Sequence, residues 1–193
     1  TQKVEQELTE LLPDARVIRM DVDTTRRKGA HERLLKQFGD HKADILLGTQ
    51  MIAKGLDFHN VTLVGVIAAD LSLNLPDFRA SERTFQLITQ VSGRAGRGKK
   101  EGQVIVQTYN PESPSIIFSS HNDYLGFYNE EISLRKIMNY PPFAQMMLIN
   151  MSSEDEELLI KNIQNVGIIL KDILKNNDKI EILGPCPCEI SKI

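Results

Sequence analysis

The chain has 193 residues, 41% of them hydrophobic and 25% charged, with a formal net charge of −3. This is the composition of an ordinary soluble globular protein of one large or two small domains, and no apolar run approaches the roughly 18 residues that a membrane span requires. The small acidic balance excludes nucleic-acid binding through bulk charge, so any such binding must rest on local clusters.

The start, Thr1-Gln2-Lys3-Val4-Glu5, has no signal-peptide character and no initiator Met, as expected of a piece of a longer protein. Residues 4–12 read as an amphipathic helix and 16–20 as a strand. Residues 29–38 are helical, with Leu34, Leu35 and Phe38 on one side. Residues 44–48 form a short buried strand and 61–69 a longer, β-branched one. A helix over 81–91 takes Ser81 as its N-cap and turns Phe85, Ile88 and Val91 inward. Residues 103–109, led in by Gly102, read as a further strand. Strands alternating with helices predict an α/β fold with a parallel sheet covered on both faces, and its apolar strands are buried on both sides. Ligands of such sheets bind at the carboxyl ends of the strands. That selects the loops after Met20, Leu47 and Ala69, together with the turn after the 81–91 helix.

Pro111 and Pro114 break the alternation and mark a boundary. Residues 115–139 read as mostly helical and end at Tyr140-Pro141-Pro142-Phe143. Residues 146–151 then read as a strand, 153–175 as a long amphipathic helix and 180–183 as another strand. In the helix, Leu159, Ile163, Val166, Ile169, Leu170, Ile173 and Leu174 form a core stripe. The expected division is an α/β lobe over 1–110, a helical connection over 111–142 and a truncated α+β domain over 143–193.

Charge is divided between these parts. Residues 1–110 carry 16 basic and 14 acidic side chains, a balance of +2, and residues 111–193 carry 7 and 12, a balance of −5. Within the first part the basic residues cluster as Arg26-Arg27-Lys28 and as Arg94, Arg97, Lys99 and Lys100. Such groups grip phosphate backbones whatever the total charge, although a solvated face has the same look. Cys186 and Cys188, one residue apart, are poorly placed to bridge each other. With no second ligand pair, no metal site is expected here, and a reduced, cytoplasmic compartment is the better reading.

Two motifs carry chemistry. Gln90-Val91-Ser92-Gly93-Arg94-Ala95-Gly96-Arg97 places two arginines three apart among glycines, at a helix end that another surface can approach closely. Arginine makes fork-shaped contacts with phosphate oxygens, and an inserted arginine stabilises charge developing on a transferred phosphoryl group. The plainer alternative is a helix C-cap with cations complementing the dipole. Gly48-Thr49-Gln50-Met51-Ile52-Ala53-Lys54-Gly55-Leu56-Asp57-Phe58 follows directly on a buried strand. Thr49 can offer a hydroxyl and an N–H to a phosphate, Gly55 permits a tight turn and Asp57 can accept from a ribose hydroxyl. Its plainer alternative is a strand, a short helix, a glycine turn and an Asp cap.

Spaced about 40 residues apart, these blocks resemble motifs V and VI of superfamily 2 helicases. The match extends further. Asp23-Thr24-Thr25-Arg26-Arg27-Lys28-Gly29, Asp77-Phe78-Arg79-Ala80-Ser81-Glu82-Arg83, Tyr140-Pro141-Pro142-Phe143 and Gly184-Pro185 resemble, together with the two blocks, the PriA family of replication-restart helicases. The resemblance runs nearly end to end. It implies a RecA-like second motor lobe followed by a smaller C-terminal domain. It implies that Arg94 and Arg97, with Gln90 in the same motif, reach across to ATP and Mg²⁺ held mainly by a first lobe. Gly55 and Asp57 match positions near the nucleotide, and Thr49 and Lys54 match candidates for contact with the DNA backbone. Arg26, Arg27 and Lys28 match a basic family segment read as contacting DNA. The family implies a bacterial, cytoplasmic 3′–5′ DNA helicase whose partners are forked DNA, single-strand-binding protein and primosome proteins.

The resemblance also sets out what this chain is expected to lack. The family's zinc module and the opening strand of this lobe fall before Thr1, so zinc belongs to the full-length family and the sheet here is expected to be a strand short. Gly93-Arg94-Ala95-Gly96-Arg97-Gly98-Lys99-Lys100 fits G-x-x-x-x-G-K, but Lys100 replaces the magnesium-binding Ser or Thr. The segment also follows a helix, whereas a phosphate loop follows a strand. No D-E-x-H sequence occurs. The chain alone is therefore expected to be inactive as an ATPase. The alternative from another class is a non-catalytic DNA- or protein-binding module that keeps only the fold; retention of both motif arginines argues against it.

Overall fold

A computed structural model of the chain describes residues 1–49, 52, 58–93, 95–96 and 101–187. The chain divides into two compact units, Thr1–Ala144 and Gln145–Ile193.

In the first unit an amphipathic helix, α1 (Gln2–Leu11), leads into strand β1 (Val17–Met20). A short turn of helix, α2 (Val22–Thr25), and α3 (Ala30–Gly39) then return the chain to β2 (Ile45–Gly48). β2 lies parallel to β1, with Val17 opposite Ile45 and Met20 opposite Gly48. The pair is clasped at its start by Arg16, whose guanidinium donates to the two Asp44 carboxylate oxygens at 2.9 and 2.8 Å. The second half repeats the plan. β3 (Leu63–Val66) runs through α4 (Asp70–Leu73) and α5 (Ala80–Ser92) to β4 (Gln103–Val106). β4 is parallel to β3, with Leu63 opposite Gln103 and Val66 opposite Val106. Parallel neighbours need a long crossover, which α3 and α5 provide.

All four expected strands are present, each parallel to one partner. Among the described residues, hydrogen bonds join them as two pairs, β1–β2 and β3–β4, where a single sheet was expected. Nor are they all buried on both sides. Val64, Val66, Val104 and Val106 are half-buried, while Leu63 and Ile105 are 57% and 53% exposed. Such alternation belongs to a strand pair covered on one face only. The start of α5 differs too. Arg79 occupies the N-cap without a side-chain cap bond, and Ser81 lies inside the first turn. The helix starts before Ser81, and the Arg83 N–H that a cap at Ser81 could have accepted already donates to the Arg79 carbonyl at 2.8 Å.

The core of this unit gathers on α5. Helices α6 (Pro114–Ser120) and α7 (Tyr124–Ile137) follow β4, and α6 lies along α5. The buried residues Ala80 and Thr84 of α5 and Ser115 and Ser119 of α6 are small, so the backbones can approach. Their hydroxyls are satisfied locally: Thr84 Oγ1 donates to the Ala80 carbonyl and Ser119 Oγ to the Ile116 carbonyl, both at 2.9 Å. Beside them Phe85 stacks on Phe127 of α7, centroids 4.4 Å apart and planes 5° from parallel. Between α6 and α7 the chain turns through Asn122 at φ 53°. Asp123 then caps α7 by accepting the Gly126 N–H at 2.9 Å.

In the second unit the regular element among the described residues is α8 (Glu156–Leu174), capped by Asp155 accepting the Leu158 N–H at 3.0 Å. Its covered stripe is narrower than expected: Leu159, Ile163, Val166, Leu170 and Leu174 are half-buried, whereas Ile169 and Ile173 are 56% and 70% exposed. The strands expected over 146–151 and 180–183, and with them the α+β character of this part, do not form among the described residues. A strand exists through its ladder partner, and apolar residues alone do not supply one. No described helix is long and apolar enough to cross a membrane.

Candidate functional site

The pairing of Met20 with Gly48 fixes where the first candidate residues lie. The loops after β1 and after β2 leave side by side from the carboxyl end of one parallel pair. Gly48 is required there: a Cβ on it would sit 2.5 Å from the Met20 carbonyl oxygen and 2.9 Å from Ile52 Cγ2. Thr49 follows, exposed, and its carbonyl accepts the Ile52 N–H at 3.1 Å.

In the neighbouring loop, buried Asp21 organises the chain. Its carboxylate accepts the Thr1 hydroxyl at 2.6 Å and the Thr24 N–H at 3.1 Å, and the Thr24 hydroxyl accepts the Asp21 N–H at 2.9 Å, closing a capping box on α2. Arg19 Nε stands 3.1 Å from the same carboxylate, while Arg19 Nη1 donates to Glu5 at 2.7 Å. The Thr1 hydroxyl, the Thr24 N–H and the Arg19 charge hold the Asp21 carboxyl at about 2 against the opposing effect of burial. This rigid cap projects Arg26, Arg27 and Lys28, all exposed. Arg26 makes a surface pair with Asp23 at 3.1 Å; among the described residues Arg27 and Lys28 have no such pair. Thr49 and the basic segment are therefore brought to one end of the β1–β2 pair.

The arginine motif leaves from the opposite kind of end. Gln90 is exposed in the last turn of α5, Gly93 is the C-cap, and Ala95 and Gly96 lie in a turn. The Gly93 N–H donates to the Thr89 carbonyl at 3.2 Å, and the Gly96 N–H donates to the Val61 carbonyl at 3.1 Å. Val61 precedes β3, so this turn is tied to the amino end of the β3–β4 pair, where a carboxyl-end position was expected. The reason is topological: a crossover helix runs antiparallel to the strands it joins, so its last turn lies where the next strand begins. Gly96, at φ 75°, lies directly on Gly102: a Cβ on Gly102 would collide with the backbone of Ala95 and Gly96. Arg94, Arg97, Lys54, Gly55 and Asp57 lie outside the described residues.

At the carboxyl end of β3–β4 an acidic group is already committed. Asp70 accepts the Tyr109 N–H and the Thr108 hydroxyl, both at 2.9 Å, which lower its pKa. It ties α4 to the end of β4. Among the described residues no group of three or more His, Cys, Asp or Glu is placed to hold a metal ion, and Cys186 is a free, exposed thiol. Sequence reasoning missed Asp21 and a cluster around Arg135. The first was visible as D-x-x-T at a strand end, a capping-box pattern. The second was visible in part as Glu131 and Arg135 at helical i,i+4 spacing.

The sequence is similar to that of known proteins. Residues 1–99 match the helicase conserved C-terminal domain, and residues 136–193 match the primosomal protein N C-terminal domain. The chain belongs to the helicase conserved C-terminal domain family. Along its whole length it is similar to the replication restart protein PriA. It is 55% identical to that of Bacillus subtilis over 193 residues, which are 100% of this chain and 24% of the relative. It is 49% identical to that of Synechocystis over 193 residues, 100% and 23%, and 39% identical to that of Haemophilus influenzae over 192 residues, 100% and 26%. The chain thus spans about a quarter of the length of these curated relatives. The motif-based resemblance to the PriA family is upheld, and so is the RecA-like lobe it implied.

Proposed function

We propose that the chain is the second motor lobe and trailing domain of an ATP-dependent 3′–5′ DNA helicase acting in replication restart and primosome assembly. In this reading it supplies arginines and DNA contacts and is inactive as an ATPase alone. One observation carries the reading: the described candidate residues are divided between a carboxyl end and an amino end of the parallel pairs. Thr49, Arg26, Arg27 and Lys28 stand at the carboxyl end of β1–β2, and the turn after Gln90 is tied to the amino end of β3–β4. A motor lobe needs such a division, with DNA held on one surface and nucleotide sensed on another through one rigid fold.

At the first end, exposed cations beside a Thr hydroxyl suit the phosphates of a DNA strand, and Lys54 joins them in sequence. At the second, Arg94 and Arg97, which follow Gln90 and Gly93 in sequence, act as cations toward a phosphoryl group, and Gly55 and Asp57 are assigned to the nucleotide. ATP with Mg²⁺ supplies the phosphoryl transfer that drives movement, and the metal is held by the first lobe of the longer protein. Zinc belongs to a module of that protein outside this chain. The partners are forked DNA, single-strand-binding protein and primosome proteins in the bacterial cytoplasm. The working boundaries are 1–110, 111–142 and 143–193.

The test is single replacement in the full-length protein. Arg94→Ala and Arg97→Ala should each abolish DNA-stimulated ATP hydrolysis while leaving equilibrium ATP binding within a few-fold of normal. Arginine fingers contribute roughly 10³–10⁵ in rate in other phosphoryl-transfer systems. Turnover that survives both replacements rejects the reading and favours a non-catalytic module.

A further inference from the structure

Two of the segments that narrow the resemblance to one family, Asp77-Phe78-Arg79-Ala80-Ser81-Glu82-Arg83 and Tyr140-Pro141-Pro142-Phe143, meet in space at a residue outside both matched regions. That residue is Arg135, near the end of α7, and only 12% of its side chain is exposed. Its Nη2 donates to Glu82 in the first turn of α5 at 2.7 Å, and its Nε donates to Glu131 one turn earlier on α7 at 2.9 Å. Its guanidinium carbon lies 5.1 Å from the centre of the Phe78 ring, and that ring lies 5.9 Å from Tyr140. Its backbone carbonyl accepts the Tyr140 N–H at 2.8 Å. Burial works against the charge, and the bonds to Glu82 and Glu131 outweigh it.

One residue therefore fastens the start of α5, the end of α7 and the turn at Tyr140. α5 has 13 residues and so is about 20 Å long. Its far end is the turn that leads into Arg94. A helix is stiff along its axis, so a change in seating at Glu82 is carried to Gln90. Displacements of about 1 Å at a reacting centre can cost roughly 100-fold in rate.

We propose that Arg135 is a positioning residue for the arginine motif, setting the placement of α5 through Glu82 and so the reach of the turn at its far end. This rests on the motor-lobe reading above. Arginine is suited to the place because its planar fork serves two carboxylates and lies over an aromatic ring, which a lysine ammonium cannot reproduce. Without it, Glu131 loses its i,i+4 partner and Glu82 is left with the nearby charge of Arg79, so the tie between α5 and α7 is lost.

The experiment compares Arg135→Ala, Arg135→Lys and Glu82→Gln in the full-length protein, with Arg94→Ala and Arg97→Ala alongside and circular dichroism melts as a folding control. For Arg135→Ala the DNA-stimulated kcat should fall at least tenfold with KM for ATP within twofold, and Arg135→Lys should recover part of the loss. If Arg135→Ala does not fold, Glu82→Gln keeps the shape of the joint and should show the same fall in kcat to a smaller degree. A folded Arg135→Ala with unchanged kcat overturns the proposal, as does one whose defect lies in KM alone. If Arg94→Ala and Arg97→Ala are inactive while the joint variants are normal, the positioning proposal alone fails. If the two arginine variants keep turnover, the motor-lobe reading fails and takes this proposal with it.

Discussion

Asp21 shows how one side chain can serve both the fold and the site. Its carboxylate closes the cap on α2, holds Thr1 and stands beside Arg19, and in doing so it projects the basic loop after β1. Held at about 2 in the folded chain, it titrates near 4 when unfolded. The ionised form is thus favoured by folding. Its contribution to stability is complete above about pH 4 and is lost as the pH falls from there toward 2. Asp44, lowered by its bonds from the Arg16 side chain and N–H, acts in the same direction. Urea denaturation followed between pH 5 and 2 should show a weaker acid dependence for Asp21→Asn than for the parent. An unchanged slope would remove Asp21 from the account. Asn keeps an oxygen for the Thr24 N–H but puts a donor where the other oxygen accepted from Thr1, so it removes the charge and that acceptor together.

Among the elements, α5 carries most of the architecture. Its buried face holds Ala80, Thr84, Phe85 and Ile88, and its exposed end presents Gln90. Phe85→Ala should destabilise the first unit by about 3–5 kcal/mol, because it removes a buried ring and leaves Phe127 without its stacking partner. Against a typical total stability of about 5–15 kcal/mol, that loss should be plain in a urea unfolding midpoint. The inward face of this helix was legible in the sequence, since Phe85 and Ile88 sit at helical spacing. The alternation of strand and helix was legible for the same reason, being written in periods of two and 3.6. What could not be read was set by contacts distant in sequence. The division into two strand pairs depends on partners, and so does the irregular course of 146–151. Ser81 looked like a cap because the local pattern allowed it; the helix begins at Ala80, and the Arg83 N–H bonds to the Arg79 carbonyl instead. The Arg135 joint spans 53 residues to Glu82, and no local period announces it. Of the site, the residue types were visible in the motifs, while their separation to different strand ends appeared only with the topology.

For the molecule as a whole, a net charge of −3 leaves the proposed DNA binding to local clusters. If Arg27 and Lys28 grip phosphates, replacing both with Ala in the full-length protein should weaken DNA binding similarly across sequences. It should also reduce the magnitude of the log-affinity against log-salt slope by about 0.7–0.9 for each phosphate no longer gripped. A slope that does not change would place the DNA path elsewhere. The paired strands have a consequence of their own. Among the described residues each ribbon has two strands, so its ladder engages one flank of each strand and leaves the other to further partners. Such flanks are adhesive: they template any extended backbone that reaches them, with little regard for its side chains. The lobe therefore offers a place where a further extended segment can pair. In concentrated solution the same stickiness makes another copy of the lobe a competitor for that place.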